Sequence, residues 1–185
     1  MKPKRMWAFN AFGLSMRGMK ISFPCHIGPT LILAGLRQIV VEGNVVIWPG
    51  LRIEAHGEAI ITIERDVVIG PNCHITCASD MTIGRGSILD GMNVLTNINH
   101  SAEEMDKWVN ERPWQITPTI LGKNVHYGHG ACILPGAVVP DESVIEANAV
   151  VASTTATAAS YFAGIPARPS DLPIDYKEVG EILSH

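Results

Sequence analysis

Residues 120–151 read ILGKNVHYGHGACILPGAVVPDESVIEANAVV and repeat with a period of six. Each hexad begins with a large apolar anchor, and a small residue follows four positions later. The anchors are Leu121, Tyr127, Ile133, Val139, Ile145 and Val151, and the small positions are Val125, Ala131, Ala137, Ser143 and Ala149. An α-helix cannot keep residues six apart on one face, because six steps of about 100° turn the side chain well away from its starting direction. A six-residue unit of strand and turn can.

The same period continues upstream in three shorter blocks, separated by a few residues each. Their anchors are Val41, Ile47 and Ile53; Ile63, Ile69 and Ile75; and Ile83, Leu89 and Leu95. Gly, Asn, Asp and Pro recur between the anchors and supply tight corners. Three hexads therefore predict one triangular coil, and successive coils would stack about 4.8 Å apart. A β-sandwich with accidental spacing is the alternative, which the unbroken phase of the last block disfavours.

Composition sets further limits on the protein. The chain of 185 residues suits one domain, and 46% apolar residues exclude disorder over most of its length. A net charge of -4 argues against nucleic-acid binding dominated by phosphate contacts. No apolar run is long enough for a membrane span, and the four cysteines form no CxxC pair, which fits a reducing compartment. We expect a soluble, cytoplasmic protein without an integral membrane segment.

The repeat predicts an all-β chain with three parts. Residues 1–26 form an N-terminal cap, residues 27–168 form the parallel β-helix, and residues 169–185 form a C-terminal tail. One extended loop, residues 97–119, interrupts the period. Long excursions from compact domains are usually functional, and this one carries His100, Trp108 and Trp114.

His100 stands where the chain leaves the repeat, so the rigid stack would hold its backbone. That position suits a general base, because imidazole titrates near neutral pH and can take a proton from an attacking hydroxyl. No serine or cysteine stands in a nucleophile setting, which indicates direct transfer without a covalent intermediate. Trp108 could stack on a sugar or pin the loop, and Asn72 and Asp80 are candidate polar contacts to an acceptor.

Two further motifs carry a family resemblance. Residues 120–138 form a glycine-rich run that ends with a Pro-Gly turn, and residues 163–168 read Ala-Gly-Ile-Pro-Ala-Arg. With the repeat, these motifs resemble the hexapeptide-repeat acyltransferases of bacteria, which are left-handed parallel β-helices, over about residues 27–168. The resemblance implies acetyl transfer from acetyl-CoA to a sugar or saccharide hydroxyl, with His100 as the base. It also implies a homotrimer with its sites between subunits, and enzymes that O-acetylate capsule, O-antigen or exopolysaccharide are the most similar branch.

The resemblance also assigns contacts to the cofactor. Carried over by position, these contacts are His129, Ala147, Ala152, Ser153 and Arg168. The guanidinium of Arg168 suits a nucleotide phosphate, because its planar fork matches phosphate oxygens. Ala152 and Ser153 stand where the family often has a Thr-Lys pair, so one expected positive charge is missing. The chain also departs from the family at His126, in place of Trp, and at Ser101, in place of Pro.

Two other functions fit parts of the sequence. One is a β-helix scaffold that has lost its activity. The other is a zinc enzyme similar to γ-class carbonic anhydrases, because His74, His100 and His126 recur every 26 residues. Zinc needs three converging imidazoles, and the loop offers one histidine where that family has a pair. We therefore expect no metal.

Overall fold

Three short strands make up each turn of the chain, and the turns stack into a solenoid. The computed structural model describes residues 5–101, 103, 106–154 and 156–171. Helix α1 (Arg5–Met16) comes first, and four coils follow it: coil one has β1 (Lys20–Ile21), β2 (Cys25–Ile27) and β3 (Ile32–Ala34); coil two has β4 (Ile39–Val41), β5 (Val45–Ile47) and β6 (Arg52–Ala55); coil three has β7 (Ile61–Ile63), β8 (Val68–Ile69) and β9 (His74–Cys77); coil four has β10 (Met81–Ile83), β11 (Ile88–Leu89) and β12 (Val94–Thr96). A hairpin of β13 (Ile98–His100) and β14 (Trp114–Ile116) then interrupts the coils. Coil five has β15 (Ile120–Leu121), β16 (His126–Tyr127) and β17 (Cys132–Ile133), coil six has β18 (Val138–Val139), β19 (Val144–Ile145) and β20 (Val150–Val151), and the chain closes with β21 (Tyr161–Gly164) and β22 (Ala167–Ser170). Two 3-10 helices span Leu36–Gln38 and Val109–Glu111.

The first, second and third strands of the coils form faces one, two and three of a triangular stack. Strands on each face pair in parallel, as in the ladder β2-β5-β8-β11-β16-β19 of face two. Anchors lie directly above one another, for example Ile47 on Ile69 and Leu89 on Tyr127. The predicted parallel β-helix of hexapeptide repeats is thus confirmed.

The anchors of the hexads fill the interior of the stack. Every anchor predicted from the period is buried, from Val41 to Val151, and the small positions beside them are buried as well. Large and small side chains therefore alternate in one continuous apolar core along the solenoid axis. This packing requires the same class of side chain at every sixth position, which explains the strict period of the sequence.

Left-handed backbone conformations turn the chain at the corners. The first corner lies between faces one and two, and the second corner lies between faces two and three. The third corner lies between face three of one coil and face one of the next. Asn44, Asp66 and Asn124 have positive φ at the first corner. At the second corner Gly50 has φ +89°, and a Cβ there would collide with Oδ1 of Asn72 in the coil above.

Helix α1 covers the start of the stack. Its residues Trp7, Ala11 and Leu14 are buried, and the ring centroids of Trp7 and Trp48 are 5.1 Å apart. Nδ2 of Asn10 donates hydrogen bonds to the carbonyl oxygens of Ile27 (3.0 Å) and Gly28 (2.9 Å). These carbonyls belong to the edge strand β2 and the residue after it, so the helix satisfies polar groups at an edge that could otherwise pair with another chain. Within the described residues, no helix has the length and apolar character needed to cross a membrane.

The excursion after β12 leaves the register of the stack unchanged. Residues on either side of it pair directly, Leu89 with Tyr127 and Leu95 with Ile133. Buried polar side chains of coil four also bond across the junction: Ser87 Oγ accepts from the Val125 amide (3.1 Å), and Asn93 Nδ2 donates to Gly128 O (2.8 Å). Coil five therefore stacks on coil four as though the chain were continuous.

Candidate functional site

Two buried polar residues hold the root of the excursion at the third corner. Asn97 Nδ2 donates to the carbonyl (2.8 Å) and hydroxyl (2.9 Å) oxygens of Ser79, and Asn97 Oδ1 accepts from the Ala78 amide (2.9 Å). On the returning strand, Thr119 Oγ1 donates to Thr96 O at 2.9 Å. The excursion therefore enters and leaves through one fixed joint between coils four and five.

The excursion folds into a hairpin, and His100 lies at the end of its first strand. β13 and β14 pair antiparallel, with His100 opposite Trp114 and Ile98 opposite Ile116. Residues directly opposite in such a pair carry their side chains on the same face of the hairpin. The Trp114 ring meets the half-buried His56 ring edge to face, with centroids 4.9 Å apart. His100 is itself exposed, on the face of the hairpin whose Trp114 contacts coil two.

An open groove lined by both apolar and polar residues lies at the same corner, beside the hairpin root. Its volume is about 540 Å³, and its lining residues are Glu58, Ala59, Ala78, Ser79, Asp80 and Pro118. Asp80, a candidate acceptor contact, is exposed here, and its Oδ1 accepts from the Ile60 amide (2.9 Å). The corner thus combines a titratable imidazole, a tryptophan and carboxylates, which can bind hydroxyl-rich molecules and move a proton.

Two of the cofactor contacts assigned by resemblance share this third corner. Ala152 and Ser153 directly follow β20. A Cβ on Gly136 would lie 3.2 Å from Thr117 Cγ2 and 3.5 Å from Ser153 Cβ. Ser153 and Thr117, the residue after β14, therefore both lie against Gly136 at this corner.

The other assigned contacts lie elsewhere on the chain. His129 and Ala147 are exposed at the second corner, where the Asn148 amide donates to His129 O (2.9 Å). Arg168 is exposed on β22, opposite Ala163. Within one chain, face three lies between the corner of His129 and Ala147 and the corner at the hairpin root.

Two of the proposed acceptor contacts also lie apart from the groove. Asn72 is exposed at the second corner, where its positive φ of 56° and its packing over Gly50 give it a structural role in the turn. Trp108 is 79% exposed and precedes the short 3-10 helix of the excursion. Of the three proposed acceptor contacts, Asp80 alone lines the groove.

The histidines considered for zinc lie on different elements. His74 is on face three, where its Nε2 is 3.5 Å from Glu54 Oε2, and His126 is on face two, where its Nε2 is 3.0 Å from Asp90 Oδ2. Burial would raise the pKa of Glu54, but hydrogen bonds and charge from Arg52 and His74 lower it overall. In the described part of the chain, no group of three or more His, Cys, Asp or Glu side chains is placed to hold a metal ion.

The cysteines are poor candidates for a nucleophile. All four are unpaired, and Cys25, Cys73 and Cys77 are buried. Burial raises the pKa of the Cys73 and Cys77 thiols to about 11, so both remain protonated at neutral pH.

Sequence reasoning missed several contacts of this corner. His56 and Trp114 meet only because the hairpin folds back onto coil two, which no local pattern indicates. Asn97 and Thr119 fix the hairpin root, and the sequence contains a weak signal for the joint between coils four and five. Ser87 and Asn93 put polar side chains at inward positions of the coil just before the period breaks. Buried polar groups need partners, so their presence could have marked this junction as special.

A sequence relative and several solved structures resemble the chain. No protein-family model matches the chain. WbbJ of Escherichia coli strain K12, whose name provisionally assigns it as a lipopolysaccharide biosynthesis O-acetyl transferase, is 25% identical over 155 residues, covering 80% of this chain and 76% of WbbJ.

Solved structures show the same fold. A point mutant of AntD, an N-acyltransferase from Bacillus cereus, in complex with dTDP-4-amino-4,6-dideoxyglucose and coenzyme A, has a TM-score of 0.71 at 14% identity, covering 94% of this chain and 95% of that one. AntD with dTDP and 3-hydroxybutyryl-CoA has a TM-score of 0.69 at 13% identity, covering 94% of each chain. In its repeat, its fold and its sequence relative, this chain therefore resembles the hexapeptide-repeat acyltransferases.

Proposed function

We propose that the protein is an acyl-CoA-dependent acyltransferase that moves an acetyl group from acetyl-CoA to a hydroxyl of a sugar or saccharide precursor. The observation that supports this proposal is the third corner, where a hairpin with a fixed root carries an exposed His100 and where a groove with the carboxylates of Glu58 and Asp80 lies beside that root. The sequence relative is named for O-acetyl transfer, and the similar solved structures hold coenzyme A or an acyl-CoA.

His100 acts as the general base in this proposal. Its imidazole takes the proton of the acceptor hydroxyl while that oxygen attacks the thioester carbonyl of acetyl-CoA. The tetrahedral intermediate then expels the thiolate of coenzyme A, which recovers the proton, and the acetyl ester is released. Transfer is direct in this proposal, because no serine or cysteine of the sequence stands in a nucleophile setting, and burial raises the pKa of the Cys73 and Cys77 thiols to about 11.

Acetyl-CoA would bind between subunits of a homotrimer. The assigned contacts fit this arrangement, because Ala152 and Ser153 share the corner of His100 whereas His129 and Ala147 lie one corner away. A neighbouring subunit could bring its own second corner to the His100 hairpin. The exposed guanidinium of Arg168 would bind a phosphate of the nucleotide.

The acceptor is a sugar or saccharide precursor in this proposal. AntD was solved with a nucleotide-linked aminosugar, and WbbJ is named for lipopolysaccharide biosynthesis. Asp80, which lines the groove, and Trp108, on the excursion, are the acceptor contacts proposed within one chain, and Asn72 would contribute from a neighbouring subunit. A cytoplasmic location fits both acetyl-CoA as donor and the four unpaired cysteines.

His100→Ala tests the proposal. We expect it to bind acetyl-CoA like the wild type in calorimetry and to lower the rate of coenzyme A release, measured with a panel of sugar acceptors, by about 10²- to 10⁴-fold. His26→Ala is the matched control, because His26 lies on β2 in coil one, away from the hairpin; it should leave both measurements unchanged.

Other outcomes would reject the proposal. A wild-type protein that does not bind acetyl-CoA would exclude an acyl-CoA-dependent enzyme and favour an inactive scaffold. Full activity in His100→Ala would remove His100 as the base while leaving the reaction in place.

A further inference from the structure

Helix α1 is apolar on two opposite faces. Trp7, Ala11 and Leu14 recur at helical spacing and pack on coil one. The other face carries a second apolar row, which we call the outer stripe. The outer stripe consists of Met6, Phe9, Phe12 and Met16, whose exposed fractions are 72%, 76%, 58% and 75%. Large apolar side chains that share one exposed helix face mark an interaction surface.

The charge around the outer stripe is positive. Arg5, Arg17 and Lys20 are exposed at the two ends of the helix. Residues 1–41 contain six of the 14 basic residues and none of the 18 acidic ones, and Glu42 is the first acidic residue of the chain. The basic end of the molecule is thus also the end with the outer stripe, whereas the remainder of the chain is strongly negative.

We propose that α1 docks this end of the solenoid on an anionic lipid surface. Phe9, Phe12 and the two methionines enter the boundary between headgroups and acyl chains, while Arg5, Arg17 and Lys20 contact the lipid phosphates. A second copy of the same face is a worse partner, because it would bring identical positive charges together.

The dimensions of α1 fit a helix lying in the plane of the surface. Its 12 residues extend about 18 Å, which is short of the roughly 30 Å hydrocarbon core of a bilayer. The inward face and Asn10 already fix the helix to β2, so docking uses a preformed helix and requires no folding on the membrane.

Vesicle flotation tests the proposal on the whole 185-residue chain. We expect binding to vesicles of equimolar phosphatidylglycerol and phosphatidylcholine, and little binding to pure phosphatidylcholine. The double variant Phe9→Gln/Phe12→Gln should partition at least about tenfold more weakly, because it removes two exposed aromatic anchors.

The double variant Arg5→Gln/Arg17→Gln should lose the preference for the anionic lipid. Met92→Gln is the matched control: Met92 is 55% exposed on coil four, away from α1, and its replacement should bind like the wild type.

Three results would overturn the proposal. The first is no flotation of the wild type with anionic vesicles. The second is a change of molecular mass in solution for Phe9→Gln/Phe12→Gln, which would make the outer stripe a contact between subunits. The third is flotation that occurs only after residues 172–185 are removed, which would mean that the acidic tail of the chain covers the stripe.

Discussion

Tyr127 places a hydroxyl inside the apolar core. It is an anchor of its hexad and fully buried, and its hydroxyl has no hydrogen-bond partner among the described residues. Burial also raises the pKa of Tyr127, so the group stays neutral. A buried donor without a partner costs about 1–3 kcal/mol.

Replacing this hydroxyl should therefore not destabilise the fold. We expect Tyr127→Phe to unfold in urea with a free energy equal to the wild type or up to about 1 kcal/mol higher. Phe162→Tyr is the mirror control, because it adds a hydroxyl at another fully buried ring and should lower stability. A clear loss of stability in Tyr127→Phe would show that the hydroxyl has a partner, such as a buried water.

Single residues also show how far sequence reasoning reaches. The period identified Tyr127 and every other anchor, because inward packing forces the same side-chain class at each sixth position. It could not identify His56 or Asn97 as parts of the corner around His100. Their roles depend on a loop folding back across coils, and such contacts between distant residues have no repeat to reveal them.

At the scale of elements, a ring contact outside the root links the hairpin to the coils. Trp114 of β14 meets His56 of coil two, and this contact holds the strand opposite His100. We expect Trp114→Ala to loosen the hairpin, raising the rate of trypsin cleavage at Lys107 and lowering kcat at least about tenfold, because His100 loses its fixed position. The urea midpoint should change little, since the coils pack independently of the hairpin.

Two variants sharpen this test. His56→Ala should reproduce the faster cleavage, because it removes the other ring of the pair. Trp108→Ala should not, because Trp108 is almost fully exposed. Unchanged cleavage in both Trp114→Ala and His56→Ala would mean that the hairpin root alone positions His100.

The break in the period predicted an excursion but not its form. β13 and β14 have three residues each and pair across a long connection, so neither strand has a local signal. The cap shows a similar limit: the sequence predicted a cap over residues 1–26, yet only the structure separates the inward row of α1 from the outer stripe.

At the scale of the whole molecule, the separation of corners predicts sites shared between subunits. His100→Ala and Ala147→Trp should each inactivate the enzyme, the second by blocking an exposed position of the second corner. When the two variants are co-expressed in equal amounts, they should form mixed trimers that recover about a quarter of the wild-type sites. A site is active only where one subunit supplies an intact His100 and its neighbour supplies an intact Ala147, and each of these conditions is met in about half of the cases. No recovery, with trimers shown to mix, would place the complete site within one chain.

The single joint at Asn97 and Thr119 has a consequence for how such a protein can change. The coils on both sides keep their register without the excursion, so the scaffold and the hairpin are separate parts. A different hairpin, longer or shorter, could be spliced in at this joint without disturbing a single anchor. Variation in acceptor choice would then accumulate in one exchangeable piece, while the stack that carries it stays constant.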